Sequence, residues 1–157
     1  MKKLMTFILL IFMLGCSSVD MSNRKISKYF TMKEATNSST GKKYRIKNIP
    51  SKSEYKNIIM TAKRMDKIRK VLKTKITITS WYRNKKINKK IRASKTSAHQ
   101  DGLAVDFRVG INPKYVRAKL KRANIKYDQL IYYRRQKRLH IGFRESGKNE
   151  RGQYWVK

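Results

Sequence analysis

One aspartate stands in the middle of an apolar strand pattern. The segment LAVDFRV, residues 103–109, places Asp106 between Val105 and Phe107, in a run whose branched and aromatic residues predict a strand. Burying a carboxylate without a partner costs several kcal/mol. A chain that buries this strand must therefore bring a partner to Asp106 from elsewhere.

The two histidines of the chain are candidates for that partner. His99 lies seven residues before Asp106, and His140 lies in RLHIGF, another apolar strand pattern. A lone histidine near a loop is more often a surface or capping residue. A His, Asp, His set with an open fourth position is a catalytic zinc arrangement, with neutral imidazoles and an ionised carboxylate. The three residues together therefore suggest one Zn2+ site.

The remaining patterns predict helices followed by strands. The pairs Thr31/Glu34 and Ser51/Glu54 are capping boxes that begin a short helix and a long amphipathic helix, and the segment NSSTG ends the first of these. A further amphipathic helix begins at Asn112. The class is α+β: N-terminal helices packed on a small antiparallel sheet with one crossover helix. The predicted helices span residues 31–37 and 51–73, the predicted strands span 75–81, 103–109, 128–133 and 138–144, and NKKINKKIRAS is a short helix or a basic loop.

The charge is strongly one-sided. Forty-one Lys and Arg stand against nine Asp and Glu, a formal net charge of +32 over 157 residues. Such a chain attracts anionic membranes and acidic cell-wall polymers. It carries no recognised nucleic-acid-binding motif, so weak, salt-dependent association is all that we expect with DNA. We expect one domain and a monomer.

The N-terminus predicts export. MKKLMTFILLIFMLGCSS has two lysines, an apolar run too short for a comfortable membrane span, and then small residues, which is the layout of a signal peptide. Leu14-Gly15-Cys16 resembles a lipobox, and lipidation would explain the single cysteine, Cys16; an uncleaved anchor is the alternative. We expect a lipoprotein signal peptide at 1–15, a polar tether at 16–26 and a domain at 27–157. The mature protein would face the periplasm or cell wall from the membrane.

Several of these segments resemble one family. ITSWYRNKKINKKIRASKTSAHQDGLAVDF resembles the zinc-binding segment of the M15 metallopeptidases, which include D-alanyl-D-alanine carboxypeptidases and phage endolysins. The family pattern is Ser-Gly-Tyr-Arg, an Asn, and Ser-x-His-x-x-Gly-x-Ala-x-Asp; here these are residues 80–83, Asn88 and residues 97–106. YDQLIYYRRQKRLHIGFR resembles the later strands. KYFTMKEATNSSTG and IKNIPSKSEYKNI resemble the N-terminal half of the subgroup usual in phages and prophages, so the resemblance covers residues 27–145. It suggests subgroup A of the family, with a hedgehog-like or D-Ala-D-Ala-peptidase-like fold.

The resemblance implies a role for each matching residue. His99, Asp106 and His140 would bind Zn2+, and Arg83 would bind the substrate carbonyl or the developing oxyanion. Ser97 would hydrogen-bond the substrate, or would only shape the loop. The implied activity is zinc-dependent hydrolysis of peptide bonds in peptidoglycan stem peptides, as a D-Ala-D-Ala carboxypeptidase or an endopeptidase.

The chain departs from the family at the acid that would serve as general base. Lys137 and Tyr133 occupy the two positions where family members carry it. Asp128 and Asp101 are the remaining nearby carboxylates, and Asp128 is more typical of a strand start. The base is therefore open among Asp128, Asp101, Tyr133 or none. The alternative function is a catalytically impaired, zinc-containing, peptidoglycan-binding lipoprotein.

Overall fold

The computed structural model describes residues 23–145, 147 and 149–157. The predicted signal peptide and Cys16 lie outside the described residues. Ile26, which falls in the predicted tether, is buried in the core. No helix formed by the described residues is long and apolar enough to span a membrane.

In the described part of the chain, five strands form one sheet: β1 (Ile76–Ser80), β2 (Ala104–Val109), β3 (Gln129–Tyr133), β4 (Arg138–Gly142) and β5 (Gln153–Val156). The order is β1-β2-β4-β3-β5. The predicted α+β class is confirmed, but the sheet is not wholly antiparallel, because β5 pairs with β3 in parallel. The sequence did not predict β5, which has only four residues.

Every α-helix of the described residues except the last begins at a side-chain cap. Both predicted capping boxes are present, at Thr31/Glu34 and at Ser51/Glu54. The first helix ends where NSSTG begins, as predicted, but the same segment also starts a second short helix that was not predicted, because the Ser38 hydroxyl accepts from the Gly41 N–H at 3.0 Å. The helices are α1 (Met32–Thr36), α2 (Ser39–Lys43), α3 (Lys52–Leu72), α4 (Lys85–Lys90) and α5 (Val116–Arg122), with a 3-10 turn at Pro113–Tyr115.

The long helix α3 supplies one wall of the core. Its apolar residues recur at three- and four-residue steps, as predicted, and this stripe is buried with the inner strands. Fully burying one such side chain contributes about 1.5–3 kcal/mol. The buried α3 residues of this stripe are Ile58, Ala62, Met65, Ile68 and Leu72.

Gly102, in the loop that precedes β2, packs closely against α3. Its φ is +74°, and a Cβ at this position would lie 2.6 Å from Ile58 Cγ1. Both the backbone conformation and the close approach require glycine here. The loop before β2 is thus seated directly on α3.

We expect Gly102→Ala to lower the free energy of unfolding by roughly 2–4 kcal/mol, since it combines a strained backbone with overpacking. Gly152 is the matched control, because its φ is +63° but nothing lies within 4 Å of an added Cβ. Gly152→Ala should cost only about 1 kcal/mol. Urea unfolding of both variants measures the difference, and equal losses would contradict the packing of Gly102 on Ile58.

Asp128 joins the start of β3 to the chain that leads into β5. Its carboxylate accepts from Arg144 Nε at 2.8 Å and from Arg151 Nε at 2.9 Å. The hydrogen bonds from Arg151, together with that from Arg144, hold the pKa of Asp128 below its ordinary value against the opposing effect of burial. Asp128 is therefore an ionised structural carboxylate.

Because folding lowers the pKa of Asp128, its contribution to stability is present above the unfolded value of about 3.9 and is lost as the pH falls below it. Asp128→Asn should lower the free energy of unfolding at pH 7 by only about 1 kcal/mol, because solvent screens the two arginines, which are 42% and 43% exposed. The difference from the wild-type protein should begin to narrow below about pH 4 and should close only as the pH falls through the lowered pKa of folded Asp128. A difference that does not narrow at all as the pH is lowered from 7 to 2, or an equal effect of the exposed-site variant Glu145→Gln, would contradict this role.

Candidate metal centre

Two inner strands and one loop bring the three predicted ligands together. Asp106 on β2 pairs directly with His140 on β4, so both side chains lie on the same face of the sheet. His99 reaches them from the loop before β2. The candidate ligand atoms of all three residues lie within 4.8 Å of one another.

The spacing of the three ligand atoms suits zinc. Asp106 Oδ1 lies 2.8 Å from His140 Nδ1 and 3.5 Å from His99 Nε2, and the two ring nitrogens are 3.2 Å apart. Ligands at about 2.0–2.1 Å from a tetrahedral Zn2+ lie roughly 3.3 Å from one another. The observed separations lie on both sides of that value.

A hydrogen bond from His99 Nδ1 to the backbone determines that Nε2 is the ring nitrogen that faces the site. His99 Nδ1 lies 2.6 Å from the Trp81 carbonyl oxygen, so Nδ1 carries the proton and donates it. Burial lowers the pKa of His99, although the nearby Asp106 carboxylate opposes this shift. The lowered pKa keeps the ring neutral. The unprotonated Nε2 then presents its lone pair to Asp106 and His140. Such a second hydrogen bond is typical of a histidine that binds a metal.

Asp106 is buried and ionised. Burial by itself would raise its pKa, but the hydrogen bond with His140 brings the pKa below its ordinary value. A neutral His99 cannot donate from Nε2. The three atoms that face one another, His99 Nε2, Asp106 Oδ1 and His140 Nδ1, therefore carry more lone pairs than N–H groups. A divalent cation would satisfy this donor set.

Trp81, which replaces the glycine of the family pattern, supports the His99 loop. Its indole N–H donates to the Gly102 carbonyl at 3.0 Å, and its ring meets Phe30 edge to face at 5.9 Å between centroids. The side chain is fully buried. Trp81 therefore holds both ends of the His99–Gly102 turn.

Arg83 lies at the rim of the site. Its backbone N–H donates to the His99 carbonyl at 3.0 Å, and its Nη1 lies 3.3 Å from Ser80 Oγ and 3.8 Å from Asp106 Oδ2. The guanidinium is thus close to the predicted metal position without a tight bond to any ligand. That position suits a group that binds a polarised carbonyl oxygen.

Ser97 lies in the turn that leads to His99. Its N–H donates to the Ser94 carbonyl at 3.2 Å, and its carbonyl accepts from the Gln100 N–H at 2.9 Å. These bonds shape the loop. The substrate contact of its hydroxyl stays a prediction.

The four positions considered for the base differ in their surroundings. Lys137 is exposed on the turn before β4, and the ring of Tyr133 is covered by a guanidinium at 4.3 Å. Asp128 is engaged by Arg144 and Arg151. Burial, with the charges of Glu54 and Glu145, raises the pKa of the Asp101 carboxyl.

Sequence reasoning missed Arg138. Its Nη1 donates to Asp106 Oδ2 at 2.6 Å, the shortest bond made by that carboxylate. The signal was available, because alternate residues of a strand share a face and Arg138 is two residues from His140. The large excess of basic residues made this single arginine inconspicuous.

Comparison with known proteins agrees with this geometry. A family model described as Peptidase M15 matches residues 28–142, a span that includes His99, Asp106 and His140. A comparison with individually curated proteins finds no match. Because the family model matches most of the sequence and the site has the zinc-ligand geometry derived above, the chain belongs to the peptidase M15 family.

Proposed function

We propose that this protein is a zinc-dependent peptidase that hydrolyses peptide bonds in peptidoglycan stem peptides. The observation that carries the proposal is the convergence of His99 Nε2, Asp106 Oδ1 and His140 Nδ1 at separations of 2.8–3.5 Å. Membership of the M15 family suggests a zinc metallopeptidase. The stem-peptide substrate is our extension of that assignment.

The residues of the site divide the work of such a reaction. His99, Asp106 and His140 would hold Zn2+, which polarises an amide carbonyl and lowers the pKa of a bound water when present. Arg83 would place a fixed positive charge beside the carbonyl oxygen, where negative charge develops. The Trp81 carbonyl keeps His99 in the tautomer that can bind the metal.

Peptide hydrolysis at this site requires a proton acceptor. A general base ordinarily takes the proton of the attacking water and returns it to the leaving amine. Tyr133 and Lys137 occupy the positions where the resemblance places that acid, and Asp128 is bound by two arginines. These observations favour a second candidate, a zinc-containing peptidoglycan-binding protein with impaired catalysis.

We propose in addition that the cationic surface binds anionic membranes or cell-wall polymers. Residues 67–100 contain no Asp or Glu, and Lys85, Lys86, Lys89 and Lys90 of α4 are exposed. Lys90 Nζ lies 4.4 Å from the ring centroid of Tyr44, which is itself 46% exposed. The face formed by α4 and Tyr44 thus offers both charge and an amphipathic ring to an interface.

Binding to vesicles that contain anionic lipid, or to purified wall polymer, should weaken steeply as salt rises, because the attraction is electrostatic. The four α4 lysines changed together to glutamine should weaken it further. Co-sedimentation measures both effects, and salt-insensitive binding would contradict the proposal.

Lipidation at Cys16 is tested separately by incorporation of labelled fatty acid in wild type and Cys16→Ser.

The full chain should bind one zinc ion and release D-alanine or cleaved stem peptides from wall fragments. A chelator should abolish release and added zinc should restore it, because the metal carries the electrophilic chemistry. His99→Ala should lose both zinc and activity. Elemental analysis and chromatography of the released products measure these outcomes. Stoichiometric zinc without any released product would refute the enzyme and leave the binding protein.

Arg83→Ala should retain zinc while its kcat/KM falls by about 10²–10³-fold, the usual loss when one oxyanion donor is removed. Arg108→Ala is a matched control, since Arg108 is an exposed arginine two residues from Asp106 on β2. Steady-state kinetics on a stem-peptide substrate makes the comparison. Equal activity in the two variants would remove Arg83 from the mechanism.

A further inference from the structure

The two oxygens of Asp106 face different partners. Oδ1 faces His140 at 2.8 Å and His99 at 3.5 Å. Oδ2 accepts from Arg138 Nη1 at 2.6 Å, and Arg83 Nη1 lies 3.8 Å away. One oxygen therefore belongs to the candidate metal site and the other to an arginine.

Arg138 is held in place by contacts other than Asp106. Its Nε donates to Gln136 Oε1 at 2.9 Å, and its guanidinium lies 4.3 Å from the ring centroid of Tyr133. Tyr133 and Arg138 are directly paired across β3 and β4. Since the side chain is only 24% exposed, the guanidinium is fixed on the same face of the sheet as His140.

We propose that Arg138 is a positioning residue that reserves Asp106 Oδ2, so that Asp106 offers Oδ1 alone to the metal. The inference rests on the proposed zinc site. A charge-assisted bond from a fixed guanidinium is stronger than a neutral hydrogen bond, and partners behind a metal ligand orient it and tune its affinity. With Oδ2 held, Asp106 fills one coordination position and a fourth stays open for water or substrate.

The two arginines near Asp106 thus have different tasks. Arg138 makes the short bond to Oδ2, whereas Arg83 lies more than 1 Å farther away and has Ser80 Oγ as its nearer partner. Arg83 can therefore turn its charge toward a substrate without releasing Asp106. Because both Asp106 oxygens are engaged, this carboxylate is also excluded as the general base.

The test compares zinc affinity in the wild-type full chain, Arg138→Ala, Arg138→Lys and the control Arg135→Ala. Arg135 is exposed on the same turn between β3 and β4. Competition with a chromophoric chelator should show roughly 10–100-fold weaker zinc binding in Arg138→Ala, the usual effect of removing a residue behind a metal ligand. The lysine variant, which keeps the charge but not the fork, should fall between the two, and Arg135→Ala should match wild type.

Cobalt substitution provides a readout that a purely structural role would not change. Wild-type protein loaded with Co2+ should show the intense visible absorption of a four-coordinate ion. In Arg138→Ala the freed Oδ2 should join the metal and weaken that absorption, because higher-coordinate Co2+ absorbs less. If the alanine variant does not fold, the lysine variant takes its place in both measurements.

The outcomes separate this inference from the proposed function. Unchanged zinc affinity and an unchanged cobalt spectrum in the Arg138 variants, with normal metal binding by wild type, overturn the role of Arg138 alone. Tighter zinc binding without Arg138 overturns it as well, because the arginine would then only repel the cation. A wild-type chain that binds no zinc overturns the metal site and this inference together.

Discussion

The buried charge of Asp106 is the constraint on which the site depends. An unpaired carboxylate inside this sheet would cost several kcal/mol, and two residues of β4 offset that cost. His140 lies opposite Asp106 and contacts one oxygen, Arg138 donates to the other, and His99 completes the cluster from the loop before β2. The placement of His99 depends in turn on the Trp81 carbonyl and on the close fit of Gly102 against α3.

The scarcity of acidic residues explains much of the chemistry around the site. Among the described residues, most carboxylates have a structural partner: Asp66 accepts from Ser27, Lys28 and Tyr29, and Glu150 is paired with Arg64. Glu34 and Glu54 complete capping boxes, and Asp128 ties β3 to the chain before β5. In a chain of net charge +32, the positions around the metal site are filled by arginine, lysine and tyrosine. Lysine and tyrosine accordingly occupy the two positions where the family resemblance places the general base, Lys137 and Tyr133.

The sequence predicted the elements whose patterns are long or chemically distinctive. The helix α3 follows from its capping box and its repeated apolar stripe. Asp106 and His140 follow from polar residues in otherwise apolar strand patterns, and His99 from the family resemblance. The structure assembles those three residues as expected. Their metal binding and the substrate role of Ser97 stay predictions.

What the sequence did not reveal depends on tertiary contacts. The helix α2 is only five residues long and is stabilised by the Ser38 cap, while Gly41 packs closely against α4 through Ile87. The strand β5 forms because its backbone pairs with β3. A segment of four residues is too short for its sequence pattern to predict that pairing. Arg138 was hidden among many basic residues, and only its distance to Asp106 distinguishes it.

The central claim is that His99, Asp106 and His140 form one zinc site with a single oxygen from Asp106. Anomalous diffraction at the zinc edge, from crystals of the full chain grown with Zn2+, tests it most directly. The account predicts one strong peak at about 2.0–2.2 Å from His99 Nε2, Asp106 Oδ1 and His140 Nδ1, with Asp106 Oδ2 still bonded to Arg138. A peak at other residues, or the absence of a peak at this cluster, would contradict it.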